Sequence, residues 1–173
     1  QNTLARFDYF AYIGNTLIVA ISTTALMLLV TIFSAFAFAR LEFKGREFLF
    51  TIFLATMMIP GEMMVITNYN TMSNLGMISV DQTRLQAYFV MVAPFIASVF
   101  YIYLLRQNFK QIPNELYLAS KVDGKSDWEY LWKVMVPLAA PTLITITILS
   151  IIGSWNAYVW PQIATSASRI RDK

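Results

Sequence analysis

Four long apolar stretches constrain this chain more than any other feature of its sequence. No residue between Asp8 and Arg40 is charged, and the apolar run at about 13–39 exceeds the roughly 20 residues that a helix needs to cross a bilayer. Similar stretches lie at about 48–66, 85–105 and 134–152. Only 13% of the residues are charged, against about 25% in an ordinary soluble domain. The sequence therefore predicts an all-α, polytopic transmembrane helical bundle with at least four spans.

The chain contains no cysteine and no histidine. Disulfides, thiolate chemistry, imidazole metal ligands and Ser-His or Cys-His nucleophile pairs are therefore excluded. A membrane-embedded enzyme would need such residues or paired carboxylates, and the spans contain neither. We expect no catalytic residue, no metal site and no nucleic-acid partner.

Lysine and arginine are distributed unequally between the loops on the two sides of the predicted spans. One side holds eight of them: Arg40, Lys44, Arg46, Arg106, Lys110, Lys121, Lys125 and Lys133. The other side holds five: Arg6, Arg84, Arg169, Arg171 and Lys173. The last three lie at the chain end, and without them the ratio is eight to two. Because cytoplasmic loops are enriched in these residues, segment 106–133 is predicted to be cytoplasmic and the loop 68–84 external.

Prolines interrupt three of the four apolar stretches. Pro60 removes a backbone hydrogen bond and clashes with the preceding turn, so we expect a kink or break there. Pro94 lies near the centre of the third stretch, and Pro137 is predicted to bend the entry to the fourth. Glu62 follows Pro60 and would be costly in lipid, so it should face a protein interior, a cavity or the interface. The Ser and Thr residues of the first stretch favour close helix packing.

Segment 106–133 carries the signals of two short helices joined by a tight turn. Asn114 is a predicted N-cap, with Glu115 in the first turn of a helix that reaches about Val122. Gly124 is predicted to end that helix in a left-handed conformation. Ser126 and Glu129 have the S-x-x-E spacing of a capping box that begins the second helix.

Two functions remain open for the first of these helices. A charged connector between spans is the ordinary interpretation. A short helix bounded at both ends, with the small residues Ala119 and Ser120 on one face, also fits a knob that docks into a partner's groove.

The stretch "ELYLASKVDGKSDWEYLWKVMVPLAAPTL" resembles the EAA loop of ABC-importer permeases, especially those of the carbohydrate-uptake type. In that pattern, Leu118-Ala119-Ser120 stands at E-A-A, Gly124 at the glycine, and 134–137 at Ile-x-Leu-Pro. Leu118 replaces the acidic residue and Ser120 the second alanine, although an acid is present nearby at Glu115. The segments "FAFARLEFKGREFLF", "MMIPGEMMVITNYNTMSNLGMI" and "SWNAYVWPQIA" resemble further elements of the same family.

The resemblance implies that this chain catalyses no reaction itself and that ATP is hydrolysed by other subunits. It implies partner ATPase subunits that bind ATP and Mg, a second and different permease subunit, an extracytoplasmic solute-binding protein and the lipid of a bacterial inner membrane. The residues implied in coupling to the ATPase are Glu115, Leu118, Ala119, Ser120, Asp123 and Gly124. Asp123 is equally well explained as an ordinary turn residue. The resemblance also implies that residues 1–173 are part of one permease domain with helices missing at both ends.

Five residues are candidates for a translocation path: Glu62, Asn68, Trp155, Asn156 and Trp160. Aromatic rings stack on sugars, but tryptophans also form interfacial belts. The methionines at 57, 58, 63 and 64 are better explained as flexible packing.

Three alternative functions remain open for the chain. They are an importer of an amino acid, peptide or ion, a proton- or sodium-coupled carrier, and an assembly subunit.

Overall fold

Every regular element within residues 9–78 and 82–169, which this computed structural model describes, is a helix. The first, α1 (Tyr9–Arg40), has 32 residues. Among the described residues it alone is long and apolar enough to cross a membrane unaided, and the number of spans rises to four if each of three bent helix pairs forms one. The predicted helical membrane bundle is confirmed, while the count of four spans stays a prediction.

Nine further helices follow α1 in the described residues. They are α2 (Arg46–Ala55), α3 (Gly61–Asn74), α4 (Arg84–Val92), α5 (Val99–Gln111), α6 (Asn114–Val122), α7 (Asp127–Tyr130), α8 (Val136–Leu138), α9 (Ala140–Trp155) and α10 (Val159–Arg169). Short 3-10 turns extend α2 and α4 over Thr56–Met58 and Ala93–Phe95, and a π-helical turn, Leu131–Met135, joins α7 to α8.

The helices break close to the prolines. Ile59 is extended before Pro60, and α3 begins at Gly61, which confirms the predicted break. The stretch at 85–105, expected as one span, is not continuous, because a 3-10 turn contains Pro94 and Ser98 is extended. Proline lacks the N–H that an α-helical hydrogen bond requires. The predicted bend near Pro137 lies two residues later, at Ala139, where the backbone leaves helical geometry.

Three boundaries differ from those predicted. The external loop, expected from Asn68, starts only after Asn74, because α3 continues through the Thr- and Asn-containing segment. Helix α10 was not predicted, since its polar sequence lacks the apolar run used to find spans. Arg6, Arg171 and Lys173, which were counted in the charge bias, lie outside the described residues.

The chain packs as two compact units. Unit A comprises Met27–Pro60 and Ala97–Ile148, and unit B comprises Gln1–Leu26, Gly61–Ile96 and Leu149–Lys173. The core of unit A is one cluster of buried side chains: Met27, Ile32, Ala35, Phe36, Leu105, Phe109, Ile112, Tyr130, Leu131, Met135, Ala139 and Ile146. It joins α1, α5 and the π-helical turn, and segment 106–133 contributes Phe109, Ile112, Tyr130 and Leu131 to it.

A buried arginine ties α2 to α5 inside unit A. The Arg106 side chain is only 4% exposed, and its Nη2 donates to both carboxylate oxygens of Glu47 at 2.7 and 2.8 Å. Its Nε donates to the Phe38 carbonyl at 3.0 Å, and its Cζ lies 3.7 Å from the centroid of the Phe50 ring. A buried guanidinium is tolerated only when it is paired and hydrogen-bonded, and Glu47 supplies the balancing charge.

Unit B has a smaller core around Trp160. This residue, with Ile78, Val90 and Ala164, forms a buried cluster. The indole Nε1 donates to the Val90 carbonyl at 3.1 Å, which fixes α10 against α4. Thr24 and Ser150 share a buried hydrogen bond of 2.9 Å, so this threonine of α1 acts in helix packing, as predicted.

The Glu47–Arg106 pair makes stability depend on pH. Hydrogen bonds from Arg106, helped by the charges of Arg106, Lys110 and Arg46, hold the pKa of Glu47 below its usual value. A carboxyl with a lowered pKa stabilises the fold above its unfolded pKa, and this contribution is lost as the pH falls through the folded pKa. We expect Glu47→Gln to destabilise the full-length protein by about 1–3 kcal/mol at pH 7, because it weakens hydrogen bonds to a buried cation.

Thermal unfolding of the full-length protein in lipid nanodiscs measures this effect. The difference between parent and Glu47→Gln should be constant above pH 4.5, the ordinary value for this carboxyl, and should shrink as the pH is lowered below it through the folded pKa. Lys110→Gln is the control, since Lys110 lies at 3.6 Å from Glu47 and is more exposed, and it should change the melting temperature less. Equal effects of both variants at all pH values would contradict the assignment.

Candidate functional site

Helix α6 is a short, rigid element with a defined end at each terminus. It follows the extended residue Pro113 and has Glu115 in its first turn. At its end, the Gly124 N–H donates to the Lys121 carbonyl at 3.0 Å and the Lys125 N–H to the Ser120 carbonyl at 2.9 Å. These two bonds are a Schellman motif, which needs a left-handed residue between them, and Gly124 has φ +73°. The predicted left-handed end is confirmed.

The other end of the turn is also capped as predicted. The Ser126 hydroxyl accepts from the Glu129 N–H at 3.2 Å, and the Glu129 carboxylate accepts from the Ser126 N–H at 3.4 Å. Together they satisfy two donors that an uncapped helix would leave unpaired. Four residues therefore reverse the chain between α6 and α7, with backbone hydrogen bonds to α6 and a side-chain cap on α7.

The predicted N-cap at Asn114 is wrong by one position. Pro113 is the N-cap, and Asn114 is the first residue of α6. The Asn114 side chain accepts instead from Arg40 Nη1 through Oδ1 at 3.2 Å. The asparagine thus joins α6 to the end of α1 and does not cap its own helix.

The two faces of α6 differ in burial. Ser120 is 5% exposed and donates to the Tyr117 carbonyl at 2.7 Å. Ala119 and Ser120 therefore do not form one outward docking face, as the docking interpretation required, because Ser120 is buried within unit A. The outward face is an i, i+3, i+4, i+7 stripe of exposed side chains: Glu115, Leu118, Ala119 and Val122.

A clasp of three side chains holds α6 against α7. Asp127 accepts from the Tyr117 hydroxyl at 2.8 Å and pairs with Lys121 Nζ at 2.8 Å through the same oxygen. Hydrogen bonds from Lys121 and Tyr117 lower the pKa of Asp127, and the hydrogen bond to Asp127 raises the pKa of Lys121. The Tyr117 ring also packs edge-on against the buried Tyr130, with centroids 5.1 Å apart. The pair is charged throughout the neutral pH range, so the clasp remains closed there.

Arg40, the last residue of α1, fixes the start of α6. Its Nη2 donates to the carbonyls of Phe109 and Ile112, at 3.1 and 2.5 Å, where α5 ends. Its Nη1 reaches Asn114, as described above. A cation at a helix C-terminus also interacts favourably with the helix dipole. One guanidinium therefore joins three parts of unit A: the end of α1, the end of α5 and the start of α6.

Sequence reasoning missed Arg40 and its three acceptors as part of this site. It used Arg40 only as one positive charge in a loop. The signal was the position of Arg40 at the end of a long apolar stretch, where an arginine side chain can donate to the carbonyls of a helix end. Only the fold identifies those partners, since they lie about 70 positions away along the chain.

The five path candidates lie in different environments within unit B. Glu62 is exposed and Asn68 is half-buried on α3. Trp160 is 4% exposed, and its indole bond to Val90 and edge contact with Phe95 at 5.9 Å give it a packing role. The two remaining candidates, Trp155 and Asn156, are exposed at the end of α9. Their part in a path stays a prediction.

Trp155 lines a cavity of about 380 Å³ in unit B. The cavity lies where the beginnings of α1 and α4 meet the end of α9, and Tyr12, Asn15 and Tyr88 contribute to its wall. The sequence did not predict it. Its lining residues come from three distant stretches, and no motif joins them.

Comparison with known proteins places the chain in a family. The model of the binding-protein-dependent transport system inner membrane component family matches residues 6–171. The arabinooligosaccharides transport system permease protein AraQ of Halalkalibacterium halodurans is 30% identical over 155 residues, which are 90% of this chain and 53% of the relative. The sn-glycerol-3-phosphate transport system permease protein UgpE of Yersinia enterocolitica is 29% identical over 165 residues, 95% of this chain and 56% of that protein.

A solved structure has the same fold. It is a bacterial ABC transporter involved in the import of the acidic polysaccharide alginate, with a TM-score of 0.76 and 30% identity over 87% of this chain and 51% of that chain. The chain spans about half the length of the curated relatives that it matches. These relatives are transport permeases, in agreement with the resemblance noted in the sequence. The chain belongs to the family of binding-protein-dependent transport system inner membrane components, the permeases of ABC importers.

Proposed function

We propose that this chain is the membrane-spanning part of a permease subunit in an ATP-driven importer of a sugar or oligosaccharide. A solute-binding protein delivers the substrate outside the bacterial inner membrane, and partner ATPase subunits, which bind ATP and Mg, supply the energy. The observation that carries this proposal is α6: a short helix, held at its start by Arg40 and closed at its end by the Schellman turn, with one exposed face and one buried face.

The geometry of α6 suits the transfer of motion from an ATPase. A docking element transmits force only if it is held firmly by the structure around it. The Schellman turn, the capping box of α7 and the Tyr117–Asp127–Lys121 clasp together fix α6 against α7. Arg40 then connects the helix to α1. Glu115, Leu118, Ala119 and Val122 form the docking stripe in this proposal, while Ser120, Asp123 and Gly124 hold its shape.

The chemistry of the stripe favours an apolar contact with the ATPase. Leu118 is 57% exposed and Val122 is 88% exposed, and exposed apolar side chains of this kind mark interaction surfaces when they are contiguous. The family pattern has an acid where this chain has Leu118. We therefore infer that its ATPase groove receives a leucine and does not rely on a salt bridge at this position.

The substrate class is inferred from the relatives. Those named above serve an arabinooligosaccharide, a glycerol phosphate and an acidic polysaccharide. A carbohydrate or a related polyol is the common chemistry, so an importer of an amino acid, peptide or ion is the less favoured alternative. The second permease subunit is proposed to be a different chain, as the family resemblance implies.

Gly124 provides the first test of the coupling helix. Gly124→Ala should cost about 1 kcal/mol or more through its positive φ, and Gly124→Pro should be worse, since proline requires a negative φ. An added Cβ at Gly124 meets nothing within 4 Å, so any effect comes from the backbone. We expect binding-protein-stimulated ATPase activity of the assembled complex to fall in the order parent, alanine, proline.

The matched control is Gly76→Ala. Gly76 has φ +70° and equally open surroundings, but it lies in the loop predicted on the other side of the membrane. It should bear the same backbone cost while retaining stimulation. If both alanine variants reduced stimulation equally, or if Gly124→Pro assembled and transported like the parent, α6 would not be the coupling element.

Leu118 tests the chemistry of the docking stripe. Leu118→Glu should weaken ATPase binding about tenfold, because burying roughly half of a leucine side chain is worth about 1.4 kcal/mol. Leu118→Met should retain binding. Leu75→Glu, which places the same charge at an exposed leucine of the other loop, should have no effect. The measurement is the affinity of each variant, in nanodiscs, for the isolated ATPase subunits, determined by titration. Binding of Leu118→Glu with the affinity of the parent would contradict the proposal.

Arg40 tests whether α1 is connected to α6 through its guanidinium. Arg40→Gln should lose most of the hydrogen bonds to Phe109, Ile112 and Asn114, and Arg40→Lys should keep the charge but not the fork of donors. We expect fewer substrate molecules transported per ATP hydrolysed in both, with lysine less affected. Lys44→Gln, at an exposed lysine four residues after Arg40, is the control. An unchanged transport ratio in Arg40→Gln would remove Arg40 from the coupling route.

A further inference from the structure

The cavity in unit B combines aromatic surface with polar side chains. Tyr12 and Trp155 present exposed ring surface, at 55% and 52%, to a space of about 380 Å³. The C–H face of a sugar ring packs on such aromatic surfaces, while its hydroxyls need polar groups placed around them. Pockets that combine aromatic walls with a few fixed polar groups are typical of small-molecule sites.

The polar groups of the cavity are held in place before any ligand binds. The Tyr88 hydroxyl donates to Asn15 Oδ1 at 2.8 Å, which orients both side chains. Because Asn15 accepts through its oxygen, its amide NH2 group still carries donors for a sugar hydroxyl. The hydroxyl of Ser154 also contributes to the lining. Preorganisation of this kind lowers the entropic cost of binding.

The charge in the cavity lining is positive. Arg84 is the single charged residue among the lining residues that the structure describes. It is also the first residue of α4, where the helix dipole adds positive potential. A guanidinium matches the geometry of a carboxylate or phosphate, which it can bind through two parallel hydrogen bonds. A neutral sugar would leave this cation without a counter-charge.

We propose that this cavity is a binding subsite for a sugar residue that carries an oxyanion, either a carboxylate or a phosphate. The sugar ring packs against Trp155 and Tyr12, its hydroxyls reach Asn15 and Ser154, and its anionic group pairs with Arg84. This inference rests on the proposed function and deepens it, since it assigns charge selection to unit B.

The test measures the binding of defined sugars to the full-length importer complex in nanodiscs. Binding is detected by saturation-transfer difference NMR. The probes are digalacturonate with its neutral counterpart galactobiose, and glucose 6-phosphate with glucose. In the parent, the anionic member of at least one pair should bind about tenfold more tightly, and the pair that shows the preference identifies carboxylate or phosphate. Arg84→Gln should abolish this preference and leave neutral binding unchanged, while Arg84→Lys should retain part of it.

The aromatic contact has its own matched control. Trp155→Ala should weaken both members of a pair, whereas Tyr158→Ala, at an exposed aromatic residue of the same segment that does not line the cavity, should weaken neither. The subsite is overturned if anionic and neutral probes bind equally, if none binds, or if the two alanine variants behave alike. Because ATPase stimulation in the Gly124 variants is measured separately, failure of the subsite is distinguishable from failure of the importer proposal.

Discussion

The carbonyl groups at the end of α5 that lack an α-helical partner are the constraint on which the proposed coupling region depends. A helix that stops next to a buried core must satisfy its last carbonyls. Arg40 does so with one Nη donor group directed at Phe109 and Ile112. The same side chain then reaches Asn114, so the group that ends α5 also positions α6. The Arg40 side chain therefore satisfies backbone carbonyls and orients the proposed docking helix at the same time.

The broken helices follow from the same requirement. In lipid, an interrupted helix is tolerated only where neighbouring protein or polar side chains satisfy the freed backbone groups. Trp160 shows this in unit B, where its indole donates to Val90 in the last turn of α4, just before the 3-10 turn that contains Pro94. Arg106 has a comparable role in unit A, because its Nε donates to the Phe38 carbonyl near the end of α1.

Local features of the fold were predictable from the sequence, and long-range ones were not. Gly124, the Ser126–Glu129 capping box and the break at Pro60 each depend on residues close together in the chain, so composition and spacing reveal them. The inward turn of Ser120 depends on the core of unit A, which forms from distant helices. Similarly, Trp160 was a candidate for the translocation path or an interfacial belt, and it is buried because it packs against α4. The cavity was invisible for the same reason.

The ion pairs of the polar segment explain how Leu118 and Val122 can form an apolar contact on an outward face that also carries Glu115. Lys121 pairs with Asp127, Lys125 with Asp123 and Lys133 with Glu129, so these charges are matched within the segment. Each exposed pair contributes little stability by itself. Because these charges are already paired within the segment, they do not need charged groups of the ATPase as partners. Leu118 and Val122 can then dock through burial of apolar surface, which is non-directional. A contact of that kind tolerates small changes of angle as the ATPase moves, whereas a single salt bridge at the position of Leu118 would depend on fixed geometry.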